Sequence, residues 1–231
     1  MNFKEHLQAL KIDLTENQLQ KFEIYYSFLL EYNQITNLTR ITEREEVFYK
    51  HFYDSLTLAT TVDIFEITTI CDMGSGAGFP SIPLKIIYPH LKVTIVDSLN
   101  KRIVFLKQLI EKLEIDNVEL IHDRIESYAT NHQESFDLVT ARALGNMSLI
   151  SEMGLPITKI NGIFIAMKAL NYEEELQQSK NAIKILGGTI ECTKHFDLPN
   201  QHGDRTLIAI RKIKSIKGYP RNFALMNKKP L

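Results

Sequence analysis

Ile67-Thr68-Thr69-Ile70-Cys71-Asp72-Met73-Gly74-Ser75-Gly76-Ala77-Gly78-Phe79-Pro80-Ser81-Ile82-Pro83-Leu84-Lys85-Ile86-Ile87-Tyr88 is the stretch whose reading decides the fold. Its first seven residues are β-branched and apolar and predict a buried strand. The three glycines then permit positive φ and let a ligand approach a backbone that carries no Cβ. Behind them, early prolines followed by an apolar run suit the first turn of a helix, whose free N–H groups face the same place. The unit is therefore strand, glycine turn, helix.

Spacing separates the ligands that use such a turn. A dinucleotide fingerprint has its third glycine three residues after the second, and that position here is Phe79. Instead Gly74, Gly76 and Gly78 alternate and follow Asp72, which resembles the G-x-G-x-G loop of S-adenosylmethionine-dependent methyltransferases. Lys92 to Asp97 then forms a second predicted strand ending in a carboxylate, about twenty residues past the loop, where an acid takes the ribose hydroxyls.

Working outward, residues 1–65 carry helical periodicity. Thr15-Glu16-Asn17-Gln18 has the form of a capping box ahead of Leu19, Phe22, Tyr26, Leu29 and Leu30, and Thr42-Glu43-Arg44-Glu45 that of a second ahead of Val47, Phe48, Phe52 and Leu56. A helical cap beside the ligand-binding part is expected. Beyond Asp97, Ser98 or Asn100 is expected to cap a helix carrying Ile103, Leu106, Ile110 and Leu113. Val118–His122, Phe136–Ala141 and Gly162–Lys168 read as further strands, with helices at 146–159, bent or ended by Pro156, and at 172–186, stopped by Gly187-Gly188. Residues 189–198 and 206–212 are joined too closely for a helix and should pair antiparallel. The fold class is α/β: a doubly wound, seven-stranded Rossmann-like methyltransferase sheet with an antiparallel C-terminal hairpin. The expected divisions are a cap over 1–65, a cofactor-binding domain over 66–213 and a basic tail over 214–231.

The 231 residues are 44% hydrophobic and 24% charged, which indicates a globular chain. No apolar run could span a bilayer and residues 1–6 lack an apolar signal core, so a cytoplasmic protein without membrane contact is expected. Cys71 and Cys192 form no C-x-x-C pair and the seven histidines have no metal-ligand spacing, so no disulfide and no metal are expected. The net charge of −1 hides an asymmetry. From Arg205 onward there are eight basic residues and no acidic one, so the preceding residues carry a balance of −9. A basic end on an acidic body suits a polyanionic partner.

Asn37-Leu38-Thr39, His51-Phe52-Tyr53-Asp54-Ser55-Leu56, Asp72 to Leu84, Asp97-Ser98-Leu99-Asn100-Lys101-Arg102 and Ala141-Arg142-Ala143 together resemble the RsmG (GidB) family of bacterial 16S ribosomal RNA guanine-N7 methyltransferases. Tyr219-Pro220-Arg221 is similar to the family's basic ending, whereas Asn222 to Met226 departs from it. The resemblance implies S-adenosylmethionine as cofactor and 16S ribosomal RNA, or the small ribosomal subunit, as partner, modified in a loop near the decoding centre. It implies Gly74, Gly76, Gly78 and Phe79 along the cofactor, Asp97 at the ribose, Ile125 and Glu126 near the adenine, and Arg142 where cofactor and guanine meet. A monomer is expected.

The residues test this chemistry. Methylation of an exocyclic amine calls for an Asn-Pro-Pro-Tyr type loop after the fourth strand, and of pyrimidine C5 for a thiolate; the fourth strand ends instead in Ala141-Arg142-Ala143-Leu144, and both cysteines lie within strands. Guanine N7 fits, because its lone pair needs no general base. Arg142, the catalytic candidate, would hold a phosphate, a cofactor carboxylate or O6 alone, since bidentate pairing to O6 and N7 would occupy the attacking lone pair; the structural alternative is pairing with Asp137 or another acid. Lys101, Arg102, Arg124, Lys168, Arg205 and Arg221 are candidates for RNA phosphates. Two other classes stay open: an RNA-binding module with this fold but no catalysis, and a nucleotide-cofactor oxidoreductase.

Overall fold

The computed structural model describes residues 3–169 and 172–231. The N-terminal part consists of α1 (Phe3–Gln8), α2 (Glu16–Thr36), α3 (Arg44–Val47) and α4 (Asp54–Leu56), the last two joined by a π-helical stretch, Phe48–Tyr53. The first capping box forms as expected, with Thr15 Oγ1 accepting from Gln18 N and Gln18 Oε1 accepting from Thr15 N. The second does not. The residue preceding α3 is Glu43, which makes no side-chain cap, so Thr42 falls one position too early.

From there strands and helices alternate: β1 (Thr69–Met73), α5 (Ser81–Ile87), β2 (Lys92–Asp97), α6 (Asn100–Leu113), β3 (Val118–His122), α7 (Ile125–Asn131), β4 (Phe136–Arg142), α8 (Met147–Gly154), β5 (Thr158–Lys168) and α9 (Tyr172–Ile185). The chain closes with β6 (Gly188–Asp197), β7 (Asp204–Lys212) and α10 (Phe223–Lys228). Helix α6 follows Leu99, so neither Ser98 nor Asn100 caps it; Asp97 Oδ1 accepts the Leu99 N–H instead, at 2.9 Å. Helix α8 is capped by Asn146 and stops at Gly154, before Pro156, and the chain enters β5 at Thr158, earlier than the expected strand start. The basic tail contains α10, with Asn222 as its N-cap.

The sheet order is β3-β2-β1-β4-β5-β7-β6. β1 to β5 are parallel, while β7 runs antiparallel between β5 and β6. The order reverses between β1 and β4, and a crevice opens there at the carboxyl ends of the strands. Period-two alternation fills both faces. Ile70, Ile95, Leu138, Ile163, Ile165 and Leu207 point to one side, and Cys71, Val96, Val139, Phe164, Ala166 and Ile208 to the other. The first side is covered by the N-terminal helices together with α5 and α6: Leu7, Phe22, Tyr25 and Phe52 belong to the same apolar cluster as the strands. Helices α7, α8 and α9 and Met226 of α10 cover the second. Among the described residues no helix is long and apolar enough to cross a membrane.

Candidate active site

The carboxyl edge of the sheet gathers the ends of β1, β2, β4 and β5. Because β7 is antiparallel, its beginning joins them, with Thr206 paired to Lys168. The loop after β1 has Gly74 at φ +66° and Gly78 at φ +100°. A Cβ on Gly78 would stand 2.7 Å from the Tyr25 hydroxyl and 2.8 Å from Ile82, so this glycine is where the loop presses on α2. The Tyr25 hydroxyl donates to Ala77 O inside the loop. Its ring stacks on Phe79 at 5.4 Å, and His51 stacks on Phe79 at 4.5 Å. Phe79 is thus a buried ring gripped by the N-terminal helices. Ring pairs of this kind contribute about 1 kcal/mol each beyond their burial.

Above Phe79, with its guanidinium carbon 4.9 Å from the ring centroid, lies Arg142. Its Nη1 donates to Asp54 Oδ2 (3.0 Å) and Lys50 O (3.2 Å), and Nη2 donates to His51 Nδ1 (3.2 Å). Arginine carries five N–H groups; those on Nε and the second on Nη2 have no acceptor among the described residues. His51 Nδ1 also lies 3.1 Å from Lys50 O, and its Nε2 lies 3.0 Å from Thr39 Oγ1. Burial and the Arg142 charge push the His51 pKa down to about 3, so the ring is neutral. Asp54 is buried, and Arg205 Nε approaches its other oxygen at 3.2 Å without hydrogen-bond alignment. One carboxylate is thus shared by two arginines.

On the far side of the glycine loop is a cavity of about 190 Å³, lined by Gly74, Asp97, Ser98, Arg102, Ile125, Glu126, Leu144 and Phe223 among others. Asp97 is 2% exposed and accepts from Gly76 N (3.2 Å), Leu99 N and Arg102 Nη1 (3.1 Å). A carboxylate has about four acceptor sites, so capacity for a hydroxyl remains. A Cβ at Gly76 would meet nothing within 4 Å, which leaves the loop approachable. Beneath it, Asp72 accepts the Ser81 N–H at 3.1 Å through one oxygen while the other is unpaired, and burial raises its pKa to about 7. These residues fit a nucleoside-bearing cofactor: carboxylates for the ribose, apolar walls, and an open glycine backbone.

Residues 18–204 match the family model described as GidB, rRNA small subunit methyltransferase G. Ribosomal RNA small subunit methyltransferase G of Bacillus subtilis (strain 168) is 50% identical over 237 residues, covering all of this chain and 99% of that protein. The protein of the same name in Oceanobacillus iheyensis is 50% identical, covering the whole of both chains. The chain belongs to the rRNA small subunit methyltransferase G family. Solved structures place the fold among Rossmann-like methyltransferases. The crystal structure of M. jannaschii TYW2 in complex with AdoMet has a TM-score of 0.58 at 16% identity, over 77% of this chain and 80% of that one. That of YcgJ from Bacillus subtilis has 0.57 at 12%, over 71% and 100%.

Within this family member the structure sorts the predicted residues. Gly74, Asp97, Ile125 and Glu126 meet at the cavity, and Gly76 reaches it through Asp97. Gly78 and Phe79 face the N-terminal helices, and Phe79 lies under Arg142 rather than along the cavity. The cations proposed for RNA all have protein partners. Lys101 donates to Thr36 O, Arg102 to Asp97, Lys168 to Gly145 O and Glu175, Arg205 lies against Asp54, and Arg221 pairs with Glu152. Arg124 pairs with Glu126 and covers the Phe223 ring. Asp137 is taken by Lys159 and Thr69, so the acid that holds Arg142 is Asp54. His51 and Asp54 received no role from the sequence reading, although their spacing puts them on one helical face. The π-helical pitch before Asp54, a feature frequent at functional sites, adds a second signal that only backbone coordinates reveal.

Proposed function

We propose that this chain is an S-adenosylmethionine-dependent methyltransferase that modifies N7 of a guanine in 16S ribosomal RNA, in a small-subunit loop near the decoding centre. The single observation that carries the reading is 50% identity along the whole length to a small-subunit ribosomal RNA methyltransferase. The cofactor supplies an electrophilic methyl group on a sulfonium. Asp97 receives the ribose, with Ile125 and Glu126 on the adenine side and the Gly74–Gly78 backbone passing the methionine portion. Arg142 offers its remaining Nε and Nη2 hydrogens to an anionic or carbonyl oxygen, which orients the partners and balances charge.

The site's chemistry supports N7. Burial raises the Cys71 thiol well above its ordinary pKa, and Cys192 lies on the edge strand β6, so neither supplies a thiolate nucleophile there. His51 is neutral, but both its nitrogens are engaged, Nδ1 by Arg142 and Lys50 O and Nε2 by Thr39. A base whose lone pair carries no proton needs only position and electrostatics. The chain is taken to act in the cytoplasm as a monomer without a metal; among the described residues no group of three His, Cys, Asp or Glu side chains is placed to hold one.

The test is transfer of labelled methyl from S-adenosylmethionine to small-subunit RNA, naked and in particles, followed by borohydride and aniline cleavage. Cleavage at one guanine is the expected result. Label without cleavage rejects N7, and absence of label in both substrates rejects catalysis in favour of a binding module.

A further inference from the structure

The C-terminal segment folds back on the body. Met226 is 2% exposed and joins the apolar cluster of Ile125, Ala129 and Met153. Arg221 pairs with both oxygens of Glu152 on α8, at 2.6 and 2.7 Å, and its backbone N–H donates to the same carboxylate. Held from both sides in this way, Phe223 in the first turn of α10 stays 37% exposed. Its ring faces Arg124, whose guanidinium carbon lies 4.4 Å from the centroid, and lines the cavity shared by Asp97, Ile125 and Glu126. A partly exposed ring adds little to a core already anchored by Met226, yet it supplies an aromatic wall at the end of β3.

We propose that Phe223 is a cofactor-binding residue, its ring forming the wall against which the adenine end of S-adenosylmethionine is held. The inference rests on the cofactor assignment above and extends it to α10. A purine presents a planar π-face with polar edges, which suits an aromatic ring on its face and a carboxylate at its rim. Glu126 is the carboxylate at that rim, and Asp97 keeps its place at the ribose.

The chain contains no tryptophan, so Phe223→Trp places its single tryptophan at the wall, excited selectively above the tyrosine absorption. Titration of that full-length variant with S-adenosylhomocysteine is expected to shift or quench its emission saturably, at the Kd given by calorimetry. Phe223→Ala is expected to weaken S-adenosylhomocysteine and free adenosine alike by about tenfold, or about 1.4 kcal/mol, with unchanged thermal unfolding. Leu225→Ala, on the same helix but off the cavity, leaves Kd unaltered. Emission unmoved at saturation, a Phe223→Ala Kd within about twofold of the parent, or equal losses in Phe223→Ala and Leu225→Ala overturns the proposal. A parent protein that binds no S-adenosylhomocysteine overturns the cofactor assignment itself, a separate result.

Discussion

Asp54 sits between Arg142 and Arg205, and the balance of that cluster is set by its one buried negative charge. Removing it leaves two guanidinium groups facing each other in a poorly hydrated place. Breaking one side of a buried pair costs on the order of 3 kcal/mol. Asp54→Ala is therefore expected to lower the urea-unfolding free energy by about that amount. Arg142→Ala, which leaves Asp54 its second arginine, is expected to stay folded while methyl transfer falls at least about a hundredfold, as read by circular dichroism and label incorporation. Full activity in that variant rejects a role for Arg142 at the reacting centre. Asp72 titrates in the opposite sense to an ordinary carboxylate in an ion pair. Its folded pKa is raised from 3.8 to about 7, so the stability it contributes is present below pH 4 and is lost as pH rises to 7. Asp72→Asn removes that loss. Relative to the parent, the variant should gain stability between pH 4 and 8, on the order of 4 kcal/mol at most, in paired urea titrations. A pH-independent difference contradicts the buried-acid account.

Helix α2 acts on the glycine loop as an element. Its capping box fixes its start, its buried face carries Phe22, Tyr25, Phe28 and Leu29, and Tyr25 alone reaches Ala77 O, the Phe79 ring and the space beside Gly78. Gly78→Ala would drive a methyl group against Tyr25, Ile82 and Leu106 at a backbone angle that non-glycine residues rarely adopt. The expected outcome is a loss of about 2–4 kcal/mol, from strain and overpacking together, read as a fall in Tm of several degrees. An unchanged Tm contradicts the packing described here. The strand–turn–helix unit and Asp97 were legible because each depends on local spacing: alternation, glycine positions and a carboxylate at a strand end. The failed second capping box and the cap of α6 mark the limit of that approach, since one residue of shift in the chain's entry angle moves the cap.

At the scale of the molecule, charge is divided. The paired cations around the crevice are already engaged, whereas Lys214, Lys217, Lys228 and Lys229 at the C-terminal end have no acidic partner among the described residues and remain available to phosphates. Neutralising Lys214 and Lys217 to Gln is expected to weaken small-subunit RNA binding and to reduce the slope of log affinity against log salt by about one to two. The same variant should bind S-adenosylhomocysteine like the parent, and an unaltered salt slope removes these lysines from the RNA surface.

Periodicity and glycine spacing act within a few residues, so the order of elements, the parallel sheet, the ligand class of the turn and a carboxylate at the end of β2 were legible in the chain alone. Which acid holds Arg142 was settled by packing alone, since Asp54 lies 88 residues away along the chain. The tertiary structure also brought Arg205 to the crevice, by inserting the antiparallel β7 between β5 and β6, and folded α10 over the cavity. Those contacts follow from strand order and from burial shared between distant segments, and no local pattern encodes them.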